Sequence, residues 1–355
     1  MKKLLTYVFI TSFEAMLILE VFLIFNDYFA VMEVLNWFFP TNGVVIKIYL
    51  LIINRRQFSE LIEYGNCEIF NEGFSDRGKT ISPCFNRAIA VGKALKYIAI
   101  FAMISTTTLP FIDGTKYIID FPISVGRYWI IVYFYQLMSL GLASIAVLGF
   151  DTSFVSFTTI AAGQIEILKY KLASITANIS LDEDTTLEMS SKCRSVHQIK
   201  IGKELRKCIV YYNVIEKFVS KLNEMYTVII FTQYVAAGII LAIVGQQLVL
   251  VDGLSGRFFS IGSMLWYLLL QLFMYSWFSN EILIKSLEIG EACYMGEWHY
   301  YDTPNKRTMF ILMERTKRPL QIKGCKFIIV SLDSFVAILR ASYSMFTLLT
   351  TMNSK

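Results

Sequence analysis

Apolar residues in this chain gather in long blocks with few charges inside them. They follow neither the period-two alternation of a half-buried strand nor the narrow stripe of a soluble helix. A helix needs about 20 such residues to cross about 30 Å of hydrocarbon. Seven blocks qualify, at residues 4–25, 31–53, 94–112, 128–160, 227–250, 258–283 and 327–352. They predict an all-α, polytopic membrane protein of seven transmembrane helices, one domain over residues 1–355. The fourth block outruns the membrane, so its C-terminal end is expected to project as a soluble helix. Met1, Lys2 and Lys3 ahead of the first block also fit a signal peptide. Glu14 and Glu20 interrupt that run and no A-x-A-like cleavage site follows, which favours a span.

Composition agrees: 55% of residues are hydrophobic and only 17% charged, against about 25% charged in soluble domains. The distribution of basic residues adds orientation. Of 33 Lys and Arg, 27 fall at the N-terminus or in the segments after the second, fourth and sixth blocks, counting Lys96 at the foot of the third block with the segment before it. Four fall in the alternate set of segments, and Lys47 and Arg340 lie inside spans. Basic residues stay on the cytoplasmic side, which predicts a cytoplasmic N-terminus and an extracellular C-terminus. All six cysteines (Cys67, Cys84, Cys193, Cys208, Cys293 and Cys325) belong to the inner set, as suits reduced thiols. The N-x-S/T sequon at Asn178 is also inner, and is expected to be unglycosylated.

The long inner segments, 161–226 and 284–326, are expected to be cytoplasmic helices forming the region of subunit contact. Over 195–224, Val196, Ile199, Leu205, Ile209, Val214, Phe218 and Leu222 recur at helical spacing, so an amphipathic helix should run straight into the fifth span. Such a helix fits packing against other inner helices, and it also fits a place on the membrane surface. The polar stretches 71–80 and 178–186 read as loops. The basic excess is spread along the chain and gives no nucleic-acid footprint. No H-E-x-x-H, G-x-S-x-G, phosphate-binding loop or C-x-x-C pair occurs, so neither an enzyme, a metal site nor a cofactor is expected.

The C-terminal stretch 284–352 carries an ordered set of residues: Ser286, Glu291–Ala292, Tyr294, Trp298, the run from Arg315 to Pro319, Ser342–Tyr343–Ser344, then Phe346–Thr347–Leu348–Leu349. This resembles the end of the insect odorant receptors. A weaker match covers LRKCIVYYNVIEKF at 205–218, where Tyr211 or Tyr212 stands in place of a frequent family histidine. Family members usually carry a few dozen residues before the first span, and this chain departs from that. The resemblance implies a subunit of a ligand-gated, non-selective cation channel that assembles as a heterotetramer with a shared co-receptor subunit. It implies a plasma-membrane protein of the olfactory neuron dendrite, with a small volatile odorant bound in the outer half of the bundle and a pore lined by the last span.

A volatile ligand is small and mostly apolar, so its pocket should be apolar and aromatic with a few polar groups. The outer halves of the spans offer Trp37, Phe38, Met103, Ser105, Thr107, Phe111, Tyr133, Tyr135, Met138, Met264, Trp266 and Tyr267. Aromatic residues also anchor spans at the membrane interface, as Tyr128, Trp129 and Phe258 are placed to do. In the last span Tyr343, Phe346, Thr347 and Thr350 form one helical stripe, a candidate pore lining. By resemblance, Phe346 and Thr350 sit at the outer gate. The same stripe would equally serve to pack against other spans. Asp333 and Arg340 are charges within this span, and such charges usually pair or face water. Three rival readings remain. A gustatory receptor shares the layout but typically ends in different pairs. A G-protein-coupled receptor would have the opposite orientation, and the seventh block has no N-P-x-x-Y. A repeat-built transporter should show an internal repeat, and none is visible.

Overall fold

Each apolar block forms a helix over most of its length, and several helices extend far beyond the block that predicts them. The computed structural model describes residues 2–25, 28–113, 119, 128–176, 191–250, 256–325 and 327–353. In chain order these form α1 (Lys2–Leu23), α2 (Tyr28–Ile53), α3 (Arg55–Gly65), α4 (Glu68–Asp113), α5 (Trp129–Ala173), α6 (Ser191–Leu250) and α7 (Gly256–Met295). A 3-10 turn at Trp298–Tyr300, α8 (Thr303–Thr316), β1 (Lys323–Gly324), β2 (Ile328–Ile329) and α9 (Leu332–Asn353) complete the chain. Among the described residues, α2, α4, α5, α6, α7 and α9 are long and apolar enough to cross a membrane. α1 lies alongside α2 and α5.

The amphipathic segment and the fifth block are one helix. α6 has 60 residues, about 90 Å at 1.5 Å per residue, roughly three times the hydrocarbon thickness. Two expectations need correction. The polar stretch 71–80 is not a loop but lies within α4. Phe70, buried just before it, and Cys84 and Phe85, packed on the main core one turn after it, hold the flanking turns, and that packing overrides a weak local preference. The seventh block does not begin as helix at 327. Residues 328–329 form β2, which pairs antiparallel with β1 in the register Lys323↔Ile329 and Gly324↔Ile328, and α9 starts at Leu332. The stretch 178–186 lies outside the described residues.

The main hydrophobic core sits at the basic end of the bundle, where α3, α8 and the extended parts of α4 to α7 meet. Phe154 packs its ring 4.6 Å from Tyr275 and 5.1 Å from Tyr226, centroid to centroid, and Phe70 stacks edge-on against Phe218 at 5.7 Å. Ion pairs rim this core. Lys169 reaches Glu288 at 2.7 Å and Glu166 at 3.1 Å, Lys221 reaches Glu60 at 2.8 Å, and Arg315 pairs with Glu216. Of the face expected over 195–224, Leu205, Phe218 and Leu222 are fully buried and Ile209 and Val214 half-buried, whereas Val196 and Ile199 at its start are exposed.

The ordered C-terminal residues hold this end together. α8 is capped by Asp302, whose carboxylate accepts from the Asn305 N–H at 3.0 Å, with Pro304 in the first turn. Trp298 packs between Tyr294 and Phe310. Ser286 Oγ accepts the Leu320 N–H at 2.9 Å, fixing the strand that leaves α8. The β-hairpin then docks on α6: Asn223 Oδ1 accepts the Lys323 N–H at 2.6 Å, and Thr227 Oγ1 donates to the Lys323 carbonyl at 2.9 Å. Gly324 lies close against α6, where a Cβ would stand 3.4 Å from the Phe231 backbone. Cys325 turns the hairpin with a positive φ of 47°.

Two predictions follow from this packing. Ser286 and Leu320 are both buried, so Ser286→Ala leaves an N–H without its acceptor. The cost should be about 1–3 kcal/mol, read as a lower melting temperature of the purified protein, with Ser286→Thr less affected. Burial pushes the Cys208 thiol to about 11 and the Cys293 thiol to about 12. Thiolate is the reactive form, so both should resist iodoacetamide at pH 8 in folded protein and react on unfolding, as read by mass spectrometry. Half-buried Cys67 and Cys84 should label first.

A candidate ligand cavity and the last helix

Away from the basic end the helices diverge around a cavity of about 240 Å³, bounded by α2, α4, α5, α6 and α7. α2 contributes one face, with Asn36, Pro40, Val44 and Lys47 at spacings of three or four. Small residues make the space. Gly43 on α2, Ala99 and Ala102 on α4, Ala143 and Ser144 on α5 and Ala236 on α6 line it where larger side chains would fill it. Pro40 breaks the α2 hydrogen-bond ladder, and the Thr41 hydroxyl donates back to the Trp37 carbonyl at 2.8 Å. The walls are apolar and aromatic: Trp37, Phe39, Met103, Ile240, Met264 and Tyr267.

One end of the cavity is strongly polar. Lys47 Nζ lies 3.3 Å from Asp151 Oδ1, and both side chains are almost wholly buried, at 4% and 1% exposure. Asp151 also accepts from Gln271 Nε2 at 2.6 Å and from the Tyr275 hydroxyl at 2.7 Å. Gln233 Nε2 donates to Gln271 Oε1 at 2.8 Å, extending the network to α6. The Lys47 ammonium stands 5.9 Å from the Tyr275 ring centroid. Three helices thus meet on one carboxylate, and Gln233 brings a fourth into the network. At the other end the Asn36 amide donates to Gln247 Oε1.

Of the residues the sequence singles out, Trp37, Met103, Thr107, Met264 and Tyr267 line this cavity. Others lie behind it or elsewhere. Tyr133 is buried and its hydroxyl donates to the Thr107 carbonyl at 3.0 Å, tying α5 to α4. Tyr135 is 2.6 Å from Ser12 Oγ and packs on Phe9 and Phe13, so it fastens α1. Phe38 stacks on Phe39 and joins the same small cluster beside α1. Ser105 does not line the cavity, and Met138 and Trp266 point outward at 56% and 59% exposure. The Phe111 side chain lies outside what is described. The polar residues Lys47, Asp151, Gln233 and Gln271 were missed as a site. Periodicity shows that a charge sits in a span but not which partner faces it, although Lys47 and Asp151 are each conspicuous inside an apolar block.

The last helix rests on α6. Ser342 Oγ donates to the Gly238 carbonyl at 3.1 Å. A Cβ at Gly245 would stand 3.3 Å from the Phe346 ring, so this glycine makes the seat for that ring. Phe346, Thr347 and Thr350 are half-buried, while Tyr343 is 67% exposed. The Thr347 and Thr350 hydroxyls bond carbonyls of their own helix. Asp333 and Arg340 are exposed, and neither has an ion-pair partner among the described residues. Only 6% of the apolar window of α9 is buried within this chain.

Comparison with known proteins places this geometry. Residues 29–343 match the family described as 7tm Odorant receptor. Odorant receptor Or2 of Anopheles gambiae is 26% identical over 337 residues, covering 92% of this chain and 84% of its own length. The odorant receptor coreceptor of Aedes aegypti is 24% identical over 152 residues, which is 43% of this chain and 32% of that protein. The insect olfactory receptor OR5 from Machilis hrabei, solved in complex with eugenol, superimposes with a TM-score of 0.80 at 14% identity. The match covers 98% of this chain and 88% of that one, and it shows a shared fold.

The buried pair generates a stability prediction. Asp151→Leu removes the carboxylate and leaves the Lys47 charge buried, which should cost about 3–5 kcal/mol. The double variant Lys47→Met/Asp151→Leu should recover in detergent melting curves the part of that loss due to the stranded charge, while Gln271 and Tyr275 still lack their acceptor. A double variant no more stable than the single one would count against the pair as the reason.

Proposed function

The chain belongs to the 7tm odorant receptor family, and on that premise we propose that it is a subunit of a ligand-gated, non-selective cation channel that takes a volatile molecule in the cavity described above. It is a receptor and not an enzyme, and its apolar helices make it a multi-pass membrane protein. The observation that carries the proposal is a shared helix. α6 presents Thr232, Gln233, Ala236 and Ile240 to the cavity, and Gly238 and Gly245 to the last helix. A ligand that spreads or draws in α6 therefore acts directly on the seat of α9. Work at one site changes the other only if the ligand binds the two arrangements with different affinity, and a shared wall supplies that difference.

α9 then lines the pore. An apolar helix that buries little of itself in its own chain, and carries Asp333 and Arg340 without an ion-pair partner among the described residues, calls for other subunits or water beside those charges. Rings of Tyr343, Phe346, Thr347 and Thr350 around an axis form a constriction that can gate by dewetting. The partners are copies of a co-receptor subunit in a heterotetramer, the membrane is the plasma membrane of an olfactory neuron dendrite, and the N-terminus is cytoplasmic. Support for the orientation is the basic-residue asymmetry and the clustering of every cysteine at the basic end.

Cells expressing this chain with the co-receptor test the reading. Ala143→Phe, which fills the cavity, should raise the half-activating odorant concentration at least tenfold at unchanged surface expression. Arg340→Ala should change conductance or assembly and leave the order of odorant preference intact. Odorant currents indifferent to Ala143→Phe would remove the cavity from the mechanism. An epitope at the C-terminus that antibody reaches only after permeabilisation would overturn the orientation.

A further inference from the structure

Hydrogen-bonding capacity at the polar end of the cavity is unbalanced. Asp151 receives three donors, from Lys47, Gln271 and Tyr275, so its two oxygens are well supplied. The Lys47 ammonium has three N–H donors and spends one on Asp151. Its other neighbour is the face of the Tyr275 ring, at 5.9 Å. Lys47 lines the cavity, is 3% exposed and has no further partner among the described residues. The unmet capacity facing the cavity is therefore a charge-assisted donor, held in place by an ion pair that is already neutral overall.

We propose that the cavity selects neutral ligands with an exposed hydrogen-bond acceptor, such as a ketone, aldehyde or ester carbonyl, which takes a free N–H of Lys47 while its hydrocarbon part lies against Met103, Met264 and Ile240. The proposal rests on the cavity being the odorant site. The charge balance excludes other classes. A carboxylate would bring an unpaired negative charge beside Asp151, and an ammonium would bring a second positive charge beside Lys47. A hydrocarbon of the same shape would leave the Lys47 donors unmet. Size fits as well: 240 Å³ is the liquid volume of roughly eight water molecules, which suits a ligand on the order of ten non-hydrogen atoms. Asn36, eleven residues from Lys47 on α2, is about 16 Å distant, too far for one such ligand to touch both.

The test uses matched pairs in which a carbonyl oxygen is replaced by a methylene, such as 2-heptanone with 2-methyl-1-heptene and acetophenone with α-methylstyrene. Pairs of six to ten carbons are applied to cells expressing the full chain with the co-receptor. The carbonyl member of an active pair should be preferred by tenfold or more. In Lys47→Met/Asp151→Leu, which removes both charges and so avoids a stranded one, that preference should fall to within threefold while the hydrocarbon response is kept or gained. Equal responses to both members in the parent chain, or a preference that survives in the double variant, overturns the proposal. So does silence to every carbonyl member in cells where Ala143→Phe alters responses to other volatiles. Responses that ignore Ala143→Phe altogether would instead defeat the cavity as the odorant site, so the two failures are distinguishable.

Discussion

A carboxylate buried inside a helix bundle has to be answered by donors from its neighbours, and that requirement organises the middle of this molecule. Asp151 on α5 is met by Lys47 from α2 and by Gln271 and Tyr275 from α7, with Gln233 of α6 behind Gln271. The three residues that bond Asp151 are each more than a hundred positions from it in the chain. In hydrocarbon there is no water to substitute for any of them. The network therefore fixes the relative rotation and depth of four helices more tightly than apolar contacts, which tolerate sliding. It also marks where the dense core stops and the cavity begins.

α6 ties that centre to everything else. Its basic-end half is buried in the main core through Leu205, Phe218, Leu222 and Tyr226. Its middle carries the hairpin, through Asn223 and Thr227. Its far half is at once a wall of the cavity and the seat of α9. A helix of about 90 Å anchored along its first half moves mainly at its free half, so displacement by a ligand is delivered near Gly238 and Gly245 rather than spread through the core.

The architecture was largely legible because its cause is a one-dimensional pattern: twenty apolar residues in a row have few other uses. The continuity of α6 was legible from Leu205 onward, since apolar residues recur every four or five positions through Leu222 into the apolar run, whereas Val196 and Ile199 are exposed. Residues 71–80 misled because composition speaks for a local preference, and packing on both sides overrode it. The hairpin at 323–329 gave little signal, as two-residue strands are held by α6 and not by their own propensity. The cavity was half legible. Trp37, Met103, Thr107, Met264 and Tyr267 were named from depth and residue type, yet Tyr135 and Trp266 had the same credentials and face α1 or the outside. Depth follows from counting along the chain, but azimuth depends on which helix stands beside which. The small residues that create the cavity, such as Ala102 and Ala143, carry no signal at all, because an alanine looks alike in a tight contact and beside a void.

Stability and responsiveness are divided between the two ends. The basic end holds the continuous core and its rim of ion pairs, whereas the other end has only three small clusters, led by Phe13, Ile10 and Ile240. A cavity lined by small residues forfeits dispersion contacts, and a bundle built around one is held less tightly there. That loss is tolerable because the dense end and the Asp151 network keep the helices in register below it. The looseness is also useful. A ligand entering a poorly filled space gains contacts the empty protein lacks, so its binding energy falls on the part of the structure whose rearrangement costs least. Filling that space with a larger side chain would stabilise the bundle and silence it for the same reason.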